Sequence, residues 1–92
     1  MKVKEIIKDM KNIDENICDY DIYRYTDNNN KKLHTDYIQA IYEDYENLEV
    51  KEYYILDEKE YNETILANSS IKADFKEWFN DENAKILVII VE

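Results

Sequence analysis

Few residues of this chain could do chemistry, and they are scattered. There is one cysteine, Cys18, and one histidine, His34. A cysteine nucleophile needs a histidine base beside it, a third group to orient that base, and donors for the oxyanion. Cys18 and His34 fall on different expected elements. Cys18 therefore reads as a half-buried small apolar residue and His34 as a surface or hairpin residue. Ser69 and Ser70 read as a helix cap. With 22 acidic residues in 92, some carboxylate pair at glycosidase-like spacing is expected by chance. An enzyme is not expected.

Cofactor and metal sites are not expected either. The chain has no glycine, which excludes the Gly-rich phosphate loops of nucleotide-binding proteins. A single cysteine excludes an internal disulfide and any multi-cysteine zinc site. Asp27-Asn28-Asn29-Asn30 opens like a calcium-binding loop. Its sixth position would be Lys32 instead of Gly, however, and its twelfth Ile38 instead of Glu. Without glycine, asparagine must serve wherever the backbone turns left-handed.

What stands out is charge interleaved with tyrosine. The net charge is −10, and residues 36–63 alone hold ten acids against two lysines. All nine tyrosines lie between Tyr20 and Tyr61. Tyrosine offers a rigid apolar body with a polar tip and is enriched at interfaces. Carboxylates around it would steer a basic partner. Two patches are candidates for partner binding. One is Asp19, Asp21, Tyr23 and Tyr25, on one face of a strand. The other is Glu43, Asp44, Glu46, Glu49 and Glu52. Carboxylates spaced like phosphates could occupy a nucleic-acid groove in a basic protein. The same charge argues against direct contact with nucleic acid or with an anionic membrane.

The elements that must position these residues follow from periodicity. Val3, Ile6, Ile7 and Met10 form one apolar face of an N-terminal helix. Residues 17–26 alternate as a strand, with Cys18, Tyr20 and Ile22 on one face and Asp19, Asp21, Tyr23 and Tyr25 on the other. Asp27 to Asn30 reads as a turn. Residues 32–40 are expected to pair back as a hairpin and 41–47 to form a short helix, although 32–48 also reads as one helix. Residues 49–56 read as a third strand. Asp57 with Glu60 reads as a capping box opening a helix that runs to about Ala67. A last helix over 71–80 is expected, capped by Ser69 or Ser70, with Ile71, Phe75, Trp78 and Phe79 as its stripe. Residues Ile86 to Val91 are wholly apolar and read as a central strand covered on both sides.

The expected fold is thus α+β: one domain over residues 1–92, with a sheet of about four strands, amphipathic helices packed on it and the C-terminal strand central. A domain of this size buries roughly 60–65% of its unfolded surface, which leaves little room for a deep pocket. An apolar content of 45% is too high for disorder. No apolar leader or span is evident, so the cytoplasm is the expected location.

The opening MKVKEIIKDM, the middle EVKEYYILDEKEYNETILANSS and the closing KILVIIVE resemble small acidic proteins of phages and mobile elements. Acidic inhibitors of host defence, anti-CRISPR proteins among them, are frequent in that group. The resemblance implies a non-enzymatic inhibitor of a basic nucleic-acid-handling host protein, such as an RNA-guided nuclease complex. It carries over no functional residue. Alternative expectations are an assembly module or homodimer, since an exposed strand edge invites self-pairing, and an antitoxin or immunity protein.

Overall fold

The computed structural model describes residues 1–27, 31–35 and 45–92, with the backbone alone for 24–27 and 31–35. In chain order the elements are α1 (Val3–Ile13), β1 (Ile17–Asp27), β2 (Lys31–Thr35), β3 (Val50–Leu56), α2 (Glu58–Thr64), α3 (Phe75–Phe79) and β4 (Lys85–Val91). The class is α+β, with a mixed sheet in the order β2-β1-β4-β3. β4 runs parallel to β1 and antiparallel to β3, while β1 and β2 pair antiparallel.

β4 organises the sheet. Its six residues Ile86 to Val91 are each at most 2% exposed. On one face Leu87, Ile89 and Val91 meet Val3 and Ile6 of α1, with Ile17, Ile22 and Tyr45. On the other, Ile86 and Val88 meet Tyr61, Ala73, Phe75 and Ala84. The sheet is therefore covered on both sides, as a strand without a polar face requires.

α1 buries the stripe that its spacing dictates, and its first amides are satisfied from elsewhere in the chain. The amides of Val3 and Lys4 donate to the carbonyls of Leu48 and Glu46 at 3.0 and 2.9 Å. Glu5 reaches back to the Lys2 amide at 3.0 Å. Beyond α1, Asp14 accepts from the Asn16 amide at 2.9 Å and pairs with Lys85 at 3.1 Å. These two contacts hold its carboxyl below the ordinary range.

Three local expectations are corrected. First, the β1–β4 register slips between Ile17 and Asp19, so Cys18 is the extra residue of a bulge. Cys18 consequently joins the Tyr61 side of the sheet, opposite Tyr20 and Ile22. Second, α2 opens with the expected Asp57–Glu60 capping box but stops at Thr64, not Ala67. The Thr64 hydroxyl donates to the Glu60 carbonyl at 2.7 Å, the back-bonding that weakens a helix end.

Third, the last helix spans Phe75–Phe79 alone and is capped by Asp74, whose carboxylate accepts from the Glu77 amide at 3.1 Å. The reason lies in α2. The Asn62 side chain accepts from the Ala73 amide at 2.7 Å and donates to the Ala73 carbonyl at 3.0 Å. Residues 71–74 are thereby engaged outside a helix. Ser69 Oγ accepts only from the Ile71 amide at 3.1 Å. α3 ends at Asn80, whose φ of 53° is left-handed, so asparagine takes the place that glycine usually fills.

The hairpin expectation holds where it can be seen: Tyr25 pairs with Leu33 and Tyr23 with Thr35. The rest of the 32–48 choice, residues 36–44, lies outside the described residues, as does the turn at 28–30.

Leu87→Ala removes a fully buried side chain from the centre of the sheet and is expected to cost about 2–5 kcal/mol in urea unfolding. Ile71→Ala, at a site 77% exposed, is expected to stay within about 0.5 kcal/mol of the parent.

Candidate functional site

The two sequence-derived patches fare differently. Asp21 and Tyr23 sit on the sheet face that α2 and α3 cover, because β4 forces that face to be closed and β1 lies against it. Tyr23 is only 4% exposed and belongs to the core. A polar strand face open to a partner is therefore corrected to a polar cluster inside a layer. Asp19 is half-buried, and its carboxylate accepts from the Tyr20 amide at 2.8 Å. Tyr25 is paired in the backbone with Leu33, and its side chain is outside the description.

The cluster is centred on Asp21. Its Oδ2 accepts from the Tyr61 hydroxyl at 2.7 Å and from the Tyr23 hydroxyl at 3.3 Å. Tyr61 comes from α2, Tyr23 from the same strand. Tyr61 then stacks at a tilt on Phe75, 5.6 Å between centroids, and Phe75 meets Phe79 edge-on at 5.6 Å. Burial raises the Asp21 carboxyl above the ordinary aspartate range. The Tyr61 hydroxyl opposes that rise, the Asp19 charge adds to it and the Tyr23 hydroxyl also opposes it. Burial first, and then the Asp21 charge and hydrogen bonds, push both phenols well above the ordinary tyrosine range. The arrangement is a satisfied carboxylate, not a nucleophile with its base.

Sequence reasoning placed Tyr61 in a helix but gave it no role. The available signal was its spacing from Ile65, one turn on, which marks an inward stripe facing β1. Cys18 and His34 are not brought together. His34 pairs with Arg24, six residues along β1 from Cys18, which is roughly 20 Å of strand. The Cys18 thiol instead donates to the Asn16 carbonyl at 3.4 Å. Among the described residues no three His, Cys, Asp or Glu side chains converge as metal ligands.

The second patch lies around the start of β3, at one end of the sheet order. Glu43 and Asp44 fall outside the described residues. Glu49 is exposed and accepts from the Met1 ammonium at 3.1 Å. Glu46 and Glu52 are half-buried. Tyr53 and Tyr54, next along the strand, are each 41% exposed. α2 follows at once, and its Glu60 and Glu63 are exposed. Along β3, acids and exposed tyrosines are thus neighbours in the chain, with Tyr53 and Tyr54 on opposite faces of the strand.

Comparison with protein-family models, with curated proteins and with solved structures finds no match to this chain.

An alkaline titration followed residue by residue by NMR is expected to find Tyr23 and Tyr61 still protonated beyond the ordinary tyrosine range. Asp21→Asn removes the neighbouring negative charge and is expected to bring both midpoints down. Unchanged midpoints in that variant refute the cluster.

Proposed function

We propose that this chain is a non-enzymatic, cytoplasmic partner-binding protein of the small acidic phage type. It inhibits a basic nucleic-acid-handling host protein, of which an RNA-guided nuclease complex is the leading class. One observation supports the reading: among the described residues, acids and exposed tyrosines neighbour one another along β3 and the residues just before it. Glu46, Glu49 and Glu52 lie in or beside β3, with Tyr53 and Tyr54 following. Such a surface offers charge for steering and aromatic area for contact. The acids beside it on α2, Glu60 and Glu63, extend the negative field. Together they favour a groove lined by lysine and arginine, the kind that otherwise holds a phosphate backbone.

A second reading, self-association or a place in a larger assembly, draws on a different observation. Trp78 is 51% and Ile71 77% exposed, both in the 71–79 segment. Apolar side chains of this size in solvent are economical sites for a subunit contact. Sedimentation over a wide concentration range separates the two readings. A monomer throughout, unchanged in Trp78→Ala, removes the assembly reading.

The inhibitor reading is tested by capture from a defence-competent bacterial lysate with stepped salt elution, followed by affinity measurement on the purified partner. Reversing Glu43, Asp44, Glu46 and Glu49 to Lys is expected to weaken binding at low salt by at least about tenfold, since each charge pair contributes roughly a kcal/mol or more. The far-UV circular dichroism should stay unchanged. Equal affinity of parent and variant at low salt rejects this patch.

A further inference from the structure

Two helices of this protein form one unit, and that unit is tied to the sheet by a titratable group. α2 and α3 are cross-linked to each other. Asn62 holds both backbone groups of Ala73, and Glu58 accepts from the Phe75 amide at 2.7 Å. Tyr61, Phe75 and Phe79 then pack as one aromatic group. Against the sheet this unit has apolar contacts with Ile86 and Val88. It also donates a hydrogen bond to the sheet, from the Tyr61 hydroxyl to Asp21.

The acceptor of that bond is unusual in its surroundings. Asp21 is half-buried, and no cation faces it among the described residues. β4 presents Val88 opposite it in the register, α2 presents Tyr61, and β1 itself presents Tyr23 and a second carboxylate, Asp19. A carboxylate placed there is held by two phenols and repelled by its neighbour. Burying an ion without a counter-ion is costly, while the neutral acid is not.

We propose that the Asp21–Tyr61 contact is a proton-operated latch: protonation of Asp21 tightens the α2–α3 unit on the sheet, and ionisation loosens it. The sign follows from linkage. The carboxyl holds its proton more firmly in the closed state than in the opened one. Closure is therefore strongest below the ordinary aspartate range and weakens as pH rises through the closed-state midpoint. Ionisation of Asp21 then favours local opening of the α2–α3 layer. Glu58, Asp57, Glu60 and Asp74 also accept backbone hydrogen bonds within the unit, so carboxylates other than Asp21 belong to it. The latch is read by comparing variants, not from the parent protein alone.

The experiment is amide hydrogen exchange by NMR on the full chain between pH 4 and 8, corrected for intrinsic rates, with the Asp21 carboxyl followed by its carbon shift. In Asp21→Asn the acceptor for Tyr61 remains and the charge is gone. Relative to that variant, the parent's opening constant for α2 and α3 amides is expected to fall on acidification, by up to about tenfold per pH unit while Asp21 titrates. Amides of α1 are expected to show no such difference. Tyr61→Phe removes the hydrogen bond that most favours the carboxylate and is expected to move the Asp21 midpoint upward. The latch is overturned if parent and Asp21→Asn share one pH dependence, if α1 responds equally, or if Tyr61→Phe leaves the midpoint where it was.

Discussion

From Ile86 to Val91 every side chain of β4 is apolar and almost wholly out of solvent, so neither face of this strand can meet water. Full burial of such a side chain contributes roughly 1.5–3 kcal/mol, and β4 supplies six in a row. In a domain whose net stability is only about 5–15 kcal/mol, that contribution dictates the architecture. A layer must cover each side. α1 with Tyr45 and Leu48 provides one, and α2 with α3 provides the other. The neighbours of β4 are drawn into the same arrangement whether or not their own sequences call for it.

β1 is where that constraint meets resistance. It alternates, and one of its faces carries carboxylates. Its parallel partner nevertheless requires that face to be closed. The conflict is resolved locally by hydroxyl donors, Tyr61 from the covering helix and Tyr23 from the strand, which converge on one oxygen of Asp21. A hydrogen-bonded carboxylate is tolerable in such a place, and an unpaired one would not be. The result is a layer whose polar contact with the sheet is a carboxylate with no cation beside it among the described residues. The α1 layer has backbone bonds to residues 46–50 instead, together with the half-buried Asp14–Lys85 pair.

Much of this was legible from local pattern. The α1 stripe, the Asp57–Glu60 capping box and the double-sided burial of β4 are properties of neighbouring residues, and they appear as read. The misses have non-local causes. The alternation of β1 predicts Cys18 beside Tyr20, but the pairing with β4 inserts a bulge that only the partner strand's register can reveal. The stripe from Ile71 to Phe79 is a sound helical pattern, yet Asn62 captures Ala73 from eleven residues away and shortens the helix to five residues. The polar face of β1 looks solvent-facing to any period count. That it is covered follows from β4, whose Val88 pairs with Asp21 from far along the chain.

The acid excess has a different standing from the core. With both sheet faces largely filled by apolar groups, most of the remaining described carboxylates lie at the margins, several of them beside β3 and on α2. A net charge of magnitude about 2–8 suffices to keep a small domain soluble. This chain carries −10, with most of it between residues 36 and 63. Crowded like charges repel one another and subtract from a fold with a modest core. At β3 the Met1 ammonium on Glu49 offsets some of that. A basic surface laid against the same carboxylates would offset more of it. The repulsion that weakens the free chain is, on this argument, the same interaction that would favour its complex.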